Sequence, residues 1–496
     1  MAVEGDSLKG KVAGTLTWNA VDKVASQLLY AVTGIILARL LSQEDFGLVG
    51  AMLVFQAFAS LFIDSGFSSA LIQRKSPSRE DYSTVLWFNI ALACVIYIIL
   101  FFCAPLIAWC FDNDQRLIPM SRVMFISFII NATAIVQTNR LMKQMNVRPI
   151  AVINSIGLVV AAVVGIILAF AGFGAWAIVW QTISLGATKS ILLWIYSGWR
   201  PLWMFSWKIL AGFFNVGSGV MVSSFLNTVF QTIYSFFIGH LVGLAPLGYY
   251  TQSDKWSKMG VMSLSQVLTS SFLPVLSSVQ DNIAEFRRVT TKMNRFTAYV
   301  TFPAMGLLAM IATPLFHALF GTKWDASIVM FQILLARGVF TIFQGLYNNY
   351  ILALGKARLI VVTEVVRDVV AAIAIVATLP FIGLSNVENP VLGLEILLYG
   401  QLAASVVTWI VTLVITSRIS GHSVGEYLAH SIPYVMMTAA AMIVMYFVGS
   451  LIETMSPLLL AAIMLLAGGA VYLIIGAIAG STIQRDILNR LFNRSK

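Results

Sequence analysis

The residues with chemistry to offer are ionisable side chains set inside long apolar segments. Lys255 and Lys258 stand at i,i+3, one helical turn apart and roughly on one face. Arg337 lies about eleven residues into another apolar segment, near its middle. Asp254 is the only acid in the lysines' segment. Cations without matched acids in a water-filled cavity suit phosphate or another anion, with lysine as a point charge and arginine as a fork. Carboxylates offer a second chemistry. Burial disfavours their ionised form, so Asp64, Asp254 or Glu364 is suited to take a proton on one side of a membrane and release it on the other. Glu364, Arg367 and Asp368 put opposite charges at i,i+3 and i,i+4, which suits a self-neutralising structural cluster equally well. Asp22 and Lys23 can snorkel or pair near one end of the first segment.

Composition explains why these charges matter. Of 496 residues, 59% are hydrophobic and 10% charged, and the mean hydropathy is +0.87. A soluble domain is about a quarter charged. Disorder is excluded by the same balance. The remaining class is an all-α polytopic membrane protein, in which an ionisable residue is a functional hypothesis by default. Cys94, Cys103 and Cys110 fall in one apolar segment and read as small apolar fillers.

About 14 transmembrane helices are expected, at 18–41, 46–72, 83–110, 118–139, 150–171, 174–197, 209–240, 247–279, 292–313, 326–353, 359–382, 393–417, 431–452 and 457–480. The first reads as a retained span, too long for a signal-peptide core. With the N-terminus inside, twenty Lys and Arg fall in inner segments against four in outer ones. That asymmetry predicts a multi-pass protein with both termini cytoplasmic. It also accounts for most of the net charge of +10, so no nucleic acid partner is expected.

The chain repeats itself weakly. Residues 38–49 align with 239–250 at an offset of 201, pairing Gly47 with Gly248. Residues 139–148 align with 349–358 at an offset of 210. Six spans separate the copies, so they share an orientation, as parallel repeats do. The expected organisation is a six-helix lobe at 1–198, an interfacial linker at 199–208, a second six-helix lobe at 209–417, and two further helices with a basic amphipathic tail at 418–496. In the linker, Trp199, Trp203 and Trp207 would share one face if the segment were helical.

No Walker A, HExxH or paired-cysteine motif is present, so neither an ATP motor nor a metal site is expected. The stretch Ile36–Val49, followed by Asp64–Arg74, resembles the N-terminal signature of the Wzx-type polysaccharide transporters, in the branch of colanic acid and teichuronic acid exporters. The resemblance implies a multidrug/oligosaccharidyl-lipid/polysaccharide exporter fold. It implies a flippase, not an enzyme, that moves polyprenyl-pyrophosphate-linked oligosaccharide from the cytoplasmic to the outer leaflet of the bacterial cytoplasmic (inner) membrane by alternating access. H+ or Na+ would be the coupling ion, with no other cofactor. Partners would be the lipid-linked oligosaccharide, membrane lipids, and polysaccharide polymerase and export machinery. On this reading Lys255, Lys258 and Arg337 meet the pyrophosphate. Asp64, Asp254, Glu364, Arg367 and Asp368 serve ion coupling or charge pairing. Arg39, Glu44, Asp45 and Gly47 match the signature and shape the outer turn, where Gly47 permits close backbone approach. Two rivals stand beside it. One is an ion-coupled multidrug antiporter, which would prefer an acidic cavity. The other is a membrane polysaccharide polymerase or ligase, which would need a larger outer loop.

Overall fold

The computed structural model describes residues 2–64, 71, 74–384 and 391–492, with some side chains in that range set aside. Among the described residues the chain is helical. In order come α1 (Ala2–Leu40), α2 (Gln43–Asp64), α3 (Arg79–Cys110), α4 (Leu117–Met124), α5 (Ile126–Lys143), α6 (Arg148–Phe170), α7 (Trp176–Ser197) and α8 (Trp207–Leu241). Then follow α9 (Leu244–Ser278), α10 (Ile283–Met310), α11 (Ala312–Leu319), α12 (Asp325–Ala353), α13 (Arg358–Thr378), α14 (Leu392–Ser420), α15 (Val424–Leu451), α16 (Pro457–Ile478) and α17 (Thr482–Phe492). An all-helical chain is the expected answer to a solvent that cannot hydrogen-bond the backbone.

Local chemistry sets many helix ends. Ser78 and Asp81 form a capping box at the start of α3, and Ser423 and Glu426 form one at α15. Gly198 and Gly421 end α7 and α14 in the left-handed conformation.

Among the described residues, eleven helices are long and apolar enough to cross a membrane. The number is twelve if α10 and α11, bent by 62° at their junction, form one span. The expectation of fourteen also counted α8 and α13. Some side chains of α8 lie outside the described residues, and α13 carries Glu364, Arg367 and Asp368 in its middle.

The chain divides into two compact units, Met1–Gly248 and Tyr249–Lys496. In the first, α6 packs on α1 and α7, α5 on α3 and α7, and α8 on α2. Sequence order places α8 in the second lobe, but its packing is with the first unit. Phe111 fills the space left by Gly239, and the His240 Nδ1 lies 2.6 Å from the Cys110 carbonyl. In the second unit, α12 packs on α14, α10 on α15, α13 on α14 and α16 on α15. Its core buries Phe286, Tyr347, Tyr350 and Tyr427. The tyrosine hydroxyls are satisfied: Tyr347 donates to Asn294 Oδ1 at 3.2 Å and Tyr350 to the Thr290 carbonyl at 3.1 Å. Large apolar side chains such as Phe102, Leu466 and Ile478 are exposed instead of buried, as a lipid-facing surface requires.

Both internal matches fall on matching turns. At an offset of 201 the end of α1 and start of α2 become the end of α8 and start of α9. At an offset of 210 the end of α5 and start of α6 become the end of α12 and start of α13. The second pair of turns repeats bond for bond. The Asn146 N–H donates to the Leu141 carbonyl and the Lys356 N–H to the Ile351 carbonyl. Met145 takes the same positive φ as Gly355, 55° against 69°.

The linker departs from expectation. Residues 199–206 are not helical, so Trp199 and Trp203 do not share a helix face. Pro201 lacks an N–H and disfavours the α conformation at Arg200. Side chains, not helical N–H groups, hold the freed carbonyls: Arg79 donates to the Arg200 carbonyl and Trp87 Nε1 to the Leu202 carbonyl at 2.8 Å.

Candidate functional site

In the second unit α9 and α12 run side by side in the same direction. Ser253 Oγ donates to the Ser327 carbonyl at 2.8 Å, and Ser327 Oγ to the Tyr249 carbonyl at 3.1 Å. Further along, Val261 lies against Gly338, where no Cβ would fit. Still further, Ser265 faces Gly345. Small residues let the two backbones approach, the usual device of helix pairs in lipid. Val261 is about one turn from Lys258 and just under two from Lys255, and Gly338 follows Arg337. The pairing therefore brings Arg337 level with the lysine-bearing turns of α9, since a turn rises only about 5.4 Å.

The three cations are not equivalent there. Lys258 Nζ is 2.6 Å from Asp254 Oδ2, an i,i+4 ion pair that neutralises it. This corrects the expectation of three unmatched cations; the i,i+4 spacing explains the pairing. Lys255 is exposed, with its Nζ 5.8 Å from the Trp256 ring centroid. Arg337 is half-buried, and its Nε is buried without a hydrogen-bond partner. Among the described residues neither Lys255 nor Arg337 has a carboxylate partner. The second oxygen of Asp254 is likewise buried without a partner. Lys255 and Arg337 are thus cations without a carboxylate partner among the described residues, at a similar level of one helix pair, and Arg337 Nε and Asp254 Oδ1 keep unused capacity for a further polar group.

On α13, Arg367 lies between two carboxylates, 2.5 Å from Glu364 and 3.0 Å from Asp368. The triad has one carboxylate more than it has cations. α13 also exposes Val361, Val365, Ile373 and Val376. The Asp64 side chain lies outside the described residues.

The first unit holds a polar cluster that spans three helices. Asn154 on α6 donates to Asp22 Oδ1 and meets Ser26 Oγ, both on α1 and both at 2.9 Å. Lys189 on α7 packs its side chain against Gly157, one turn along from Asn154, and the charge of Asp22 acts on it. The sequence offered Asp22 with the wrong partner: its neighbour Lys23 is exposed. Lys189 was not singled out, although a lone lysine inside the apolar run of α7 was a visible signal.

The signature residues shape the first outer turn. Asp45 Oδ2 accepts from the backbone N–H and the hydroxyl of Ser42, at 2.9 and 2.7 Å. Asp45 Oδ1 accepts from the Ala175 N–H at 2.8 Å, tying this turn to α7. Glu44 pairs with Arg116, which also grips Asp114 at 2.6 Å. That grip holds the Asp114 carboxyl below the usual carboxylate range and raises Arg116. Gly47 lies against the Leu244 carbonyl. Arg39 is exposed.

Three comparisons bear on this arrangement. The profile of a family described as "Polysaccharide biosynthesis protein" matches residues 36–329. The teichuronic acid biosynthesis protein TuaB of Bacillus subtilis (strain 168) is 23% identical over 355 residues, covering 71% of this chain and 73% of that protein. The lipopolysaccharide biosynthesis protein WzxC of Escherichia coli (strain K12) is 24% identical over 341 residues, covering 67% and 68%. Among solved structures, the lipid II flippase MurJ in an inward closed conformation superposes with a TM-score of 0.74 at 14% identity, covering 95% of this chain and 99% of that one. An inward-facing multidrug resistance MATE family transporter of the MOP superfamily gives 0.61 at 16% identity, covering 80% and 96%. The fold is thus shared by a flippase and a drug transporter, and the family is decided by the sequence match over more than half the chain. This multi-pass membrane protein belongs to the polysaccharide biosynthesis protein family.

Proposed function

We propose that the chain is a flippase that carries polyprenyl-pyrophosphate-linked oligosaccharide from the cytoplasmic to the outer leaflet of the bacterial inner membrane. The observation that carries this reading is the uncompensated pair Lys255 and Arg337 on the adjoining helices α9 and α12. A pyrophosphate is the multiply charged end of such a substrate. It needs cations not already spent on carboxylates, and Lys258 is spent on Asp254. The lipid tail stays in the bilayer while the headgroup engages these cations. The names of TuaB and WzxC, which place those relatives in teichuronic acid and lipopolysaccharide biosynthesis, support a glycan as cargo.

Fourteen spans with cytoplasmic termini, in two repeats plus two added helices, suit this role. Alternating access coupled to H+ or Na+ is the proposed mechanism. Among the described residues two sites offer ion-coupling chemistry: Asp22 with Asn154, Ser26 and Lys189, and the excess carboxylate of the Glu364–Arg367–Asp368 triad. Asp254 is better suited to charge pairing. A polysaccharide polymerase and export machinery would receive the product.

The test is transport by purified protein in liposomes that carry labelled lipid-linked oligosaccharide on one leaflet. Protein-dependent appearance of the label on the other leaflet, following an imposed gradient, is the expected result. Folded protein that moves no lipid-linked glycan but extrudes cationic drugs would replace this reading with a multidrug antiporter.

A further inference from the structure

The linker between α7 and α8 is a fixed strap, and its exposed surface is unlike that of an ordinary loop. Trp199 is buried against Tyr82. The Leu202 N–H donates to Ser83 Oγ at 2.9 Å, and Trp203 stacks on Trp87 with ring centroids 4.6 Å apart. So held, the strap turns Trp203 and Trp207 outward, 90% and 73% exposed. Phe205, in edge contact with Trp207, is exposed beside them. An outward indole at the end of a membrane helix suits the headgroup layer, where an apolar ring with one N–H is at home.

Arg200 and Lys208 in the strap are exposed cations, as are Arg79, which bonds to it, and Lys75, four residues before Arg79. Arg79 spends Nε and Nη2 on the Arg200 carbonyl, at 3.1 and 2.9 Å. Arg200 spends Nη1 on the carbonyls of Trp194 and Trp199. Carbonyls orient guanidinium groups without cancelling their charge, and among the described residues neither arginine is ion-paired. Arg74 does meet a carboxylate, Asp81, at 3.1 Å.

We propose that the 198–208 strap is a docking surface for the anionic phospholipids of the membrane around it. Charge complementarity selects that occupant. The cations are spread along a strap with exposed aromatic rings, and several of their N–H groups already face backbone carbonyls. Such groups attract by field and do not converge on one ligand, which suits a layer of headgroups better than the single pyrophosphate of a carrier lipid.

The test uses the full chain in nanodiscs of phosphatidylcholine with a minority of phosphatidylglycerol. Cys94, Cys103 and Cys110 are replaced by serine, and Trp203→Cys carries a bimane label. Quenching is compared with bromine on the chains of one lipid or the other. Brominated phosphatidylglycerol is expected to quench beyond its mole fraction, by up to about fivefold for each engaged cation. The excess should shrink at high salt and fall to the phosphatidylcholine level in the combined Arg79→Gln, Arg200→Gln, Lys208→Gln variant. If that variant does not fold, Lys75→Gln with Lys208→Gln should still lower the excess, since both side chains lie off the strap's hydrogen bonds. Equal quenching by the two lipids overturns the proposal. So does displacement of phosphatidylglycerol by stoichiometric polyprenyl pyrophosphate, which would make the strap a carrier site.

Discussion

Gly47 and Gly248 lie backbone to backbone, so that a Cβ on Gly248 would stand 3.1 Å from the Gly47 nitrogen. The contact is reciprocal. Gly47 also abuts the Leu244 carbonyl, and Gly248 abuts the Gln43 carbonyl. Residues 43 and 244 are related by the same offset of 201 as the two glycines. The first turns of α2 and α9 therefore meet as matching surfaces, in the manner of a two-fold contact. Gly47→Ala or Gly248→Ala must move backbone, not a side-chain tip. The expected cost is at or above the ~1–3 kcal/mol of ordinary overpacking. Gly212→Ala, whose Cβ meets nothing within 4 Å, should instead be neutral or gain up to about 1 kcal/mol of helix propensity. Thermal melting of detergent-purified protein separates the two.

Neutralising Lys255 and Arg337 together should reduce flipping at least tenfold in the liposome assay, with folded yield unchanged. One charge-assisted contact to phosphate is worth ~1.5–3 kcal/mol, and two would be lost. Unchanged transport by the Lys255→Gln, Arg337→Gln variant removes α9 and α12 as the headgroup site.

Lys258→Gln should behave differently. It leaves the half-buried Asp254 carboxylate without its 2.6 Å partner, so folded yield falls before transport chemistry is reached. Adding Asp254→Asn should restore the yield. A double variant that folds no better than the single one would show that the pair contributes no stability.

Asp22→Asn tests coupling. Downhill flipping should persist, while stimulation by an imposed gradient is lost. Lys189→Gln should weaken the same stimulation, because its side chain packs on Gly157, one turn along from the Asn154 that holds Asp22. Gradient response intact in both variants would leave the Glu364–Arg367–Asp368 triad as the coupling site.

The outer turn carries a pH signature. Asp114 is held below its ordinary pKa by Arg116, so its contribution to stability is full above the unfolded value of about 3.9 and is lost as pH falls through the folded value. Asp114→Asn should flatten the acid limb of stability below about pH 4. The effect should stay under about 1 kcal/mol, because Arg116 is half exposed and solvent screens the pair. Melting curves across that pH range, at low and high salt, measure it.

What the sequence determined by itself is what acts within about four residues. Apolar length and charge content announced membrane helices. The turns at 140–148 and 350–358 match because their hydrogen bonds close over three to five residues, within reach of a local repeat. Two local features stand in the sequence against the expectations drawn from it: the i,i+4 spacing of Asp254 and Lys258, which pairs a cation expected to be unmatched, and Pro201, which stops a helical reading of the tryptophans. What only the tertiary structure decided is which helix faces which. Asn154 reaches Asp22 across 132 residues of chain, and Arg116 reaches Glu44 across 72. Small residues such as Gly157, Gly338 and Gly47 set other approaches, to Lys189, Val261 and Leu244, by letting backbones or side chains come close. Periodicity cannot read that choice, because in lipid every apolar face is acceptable and shape, not hydrophobicity, selects the partner.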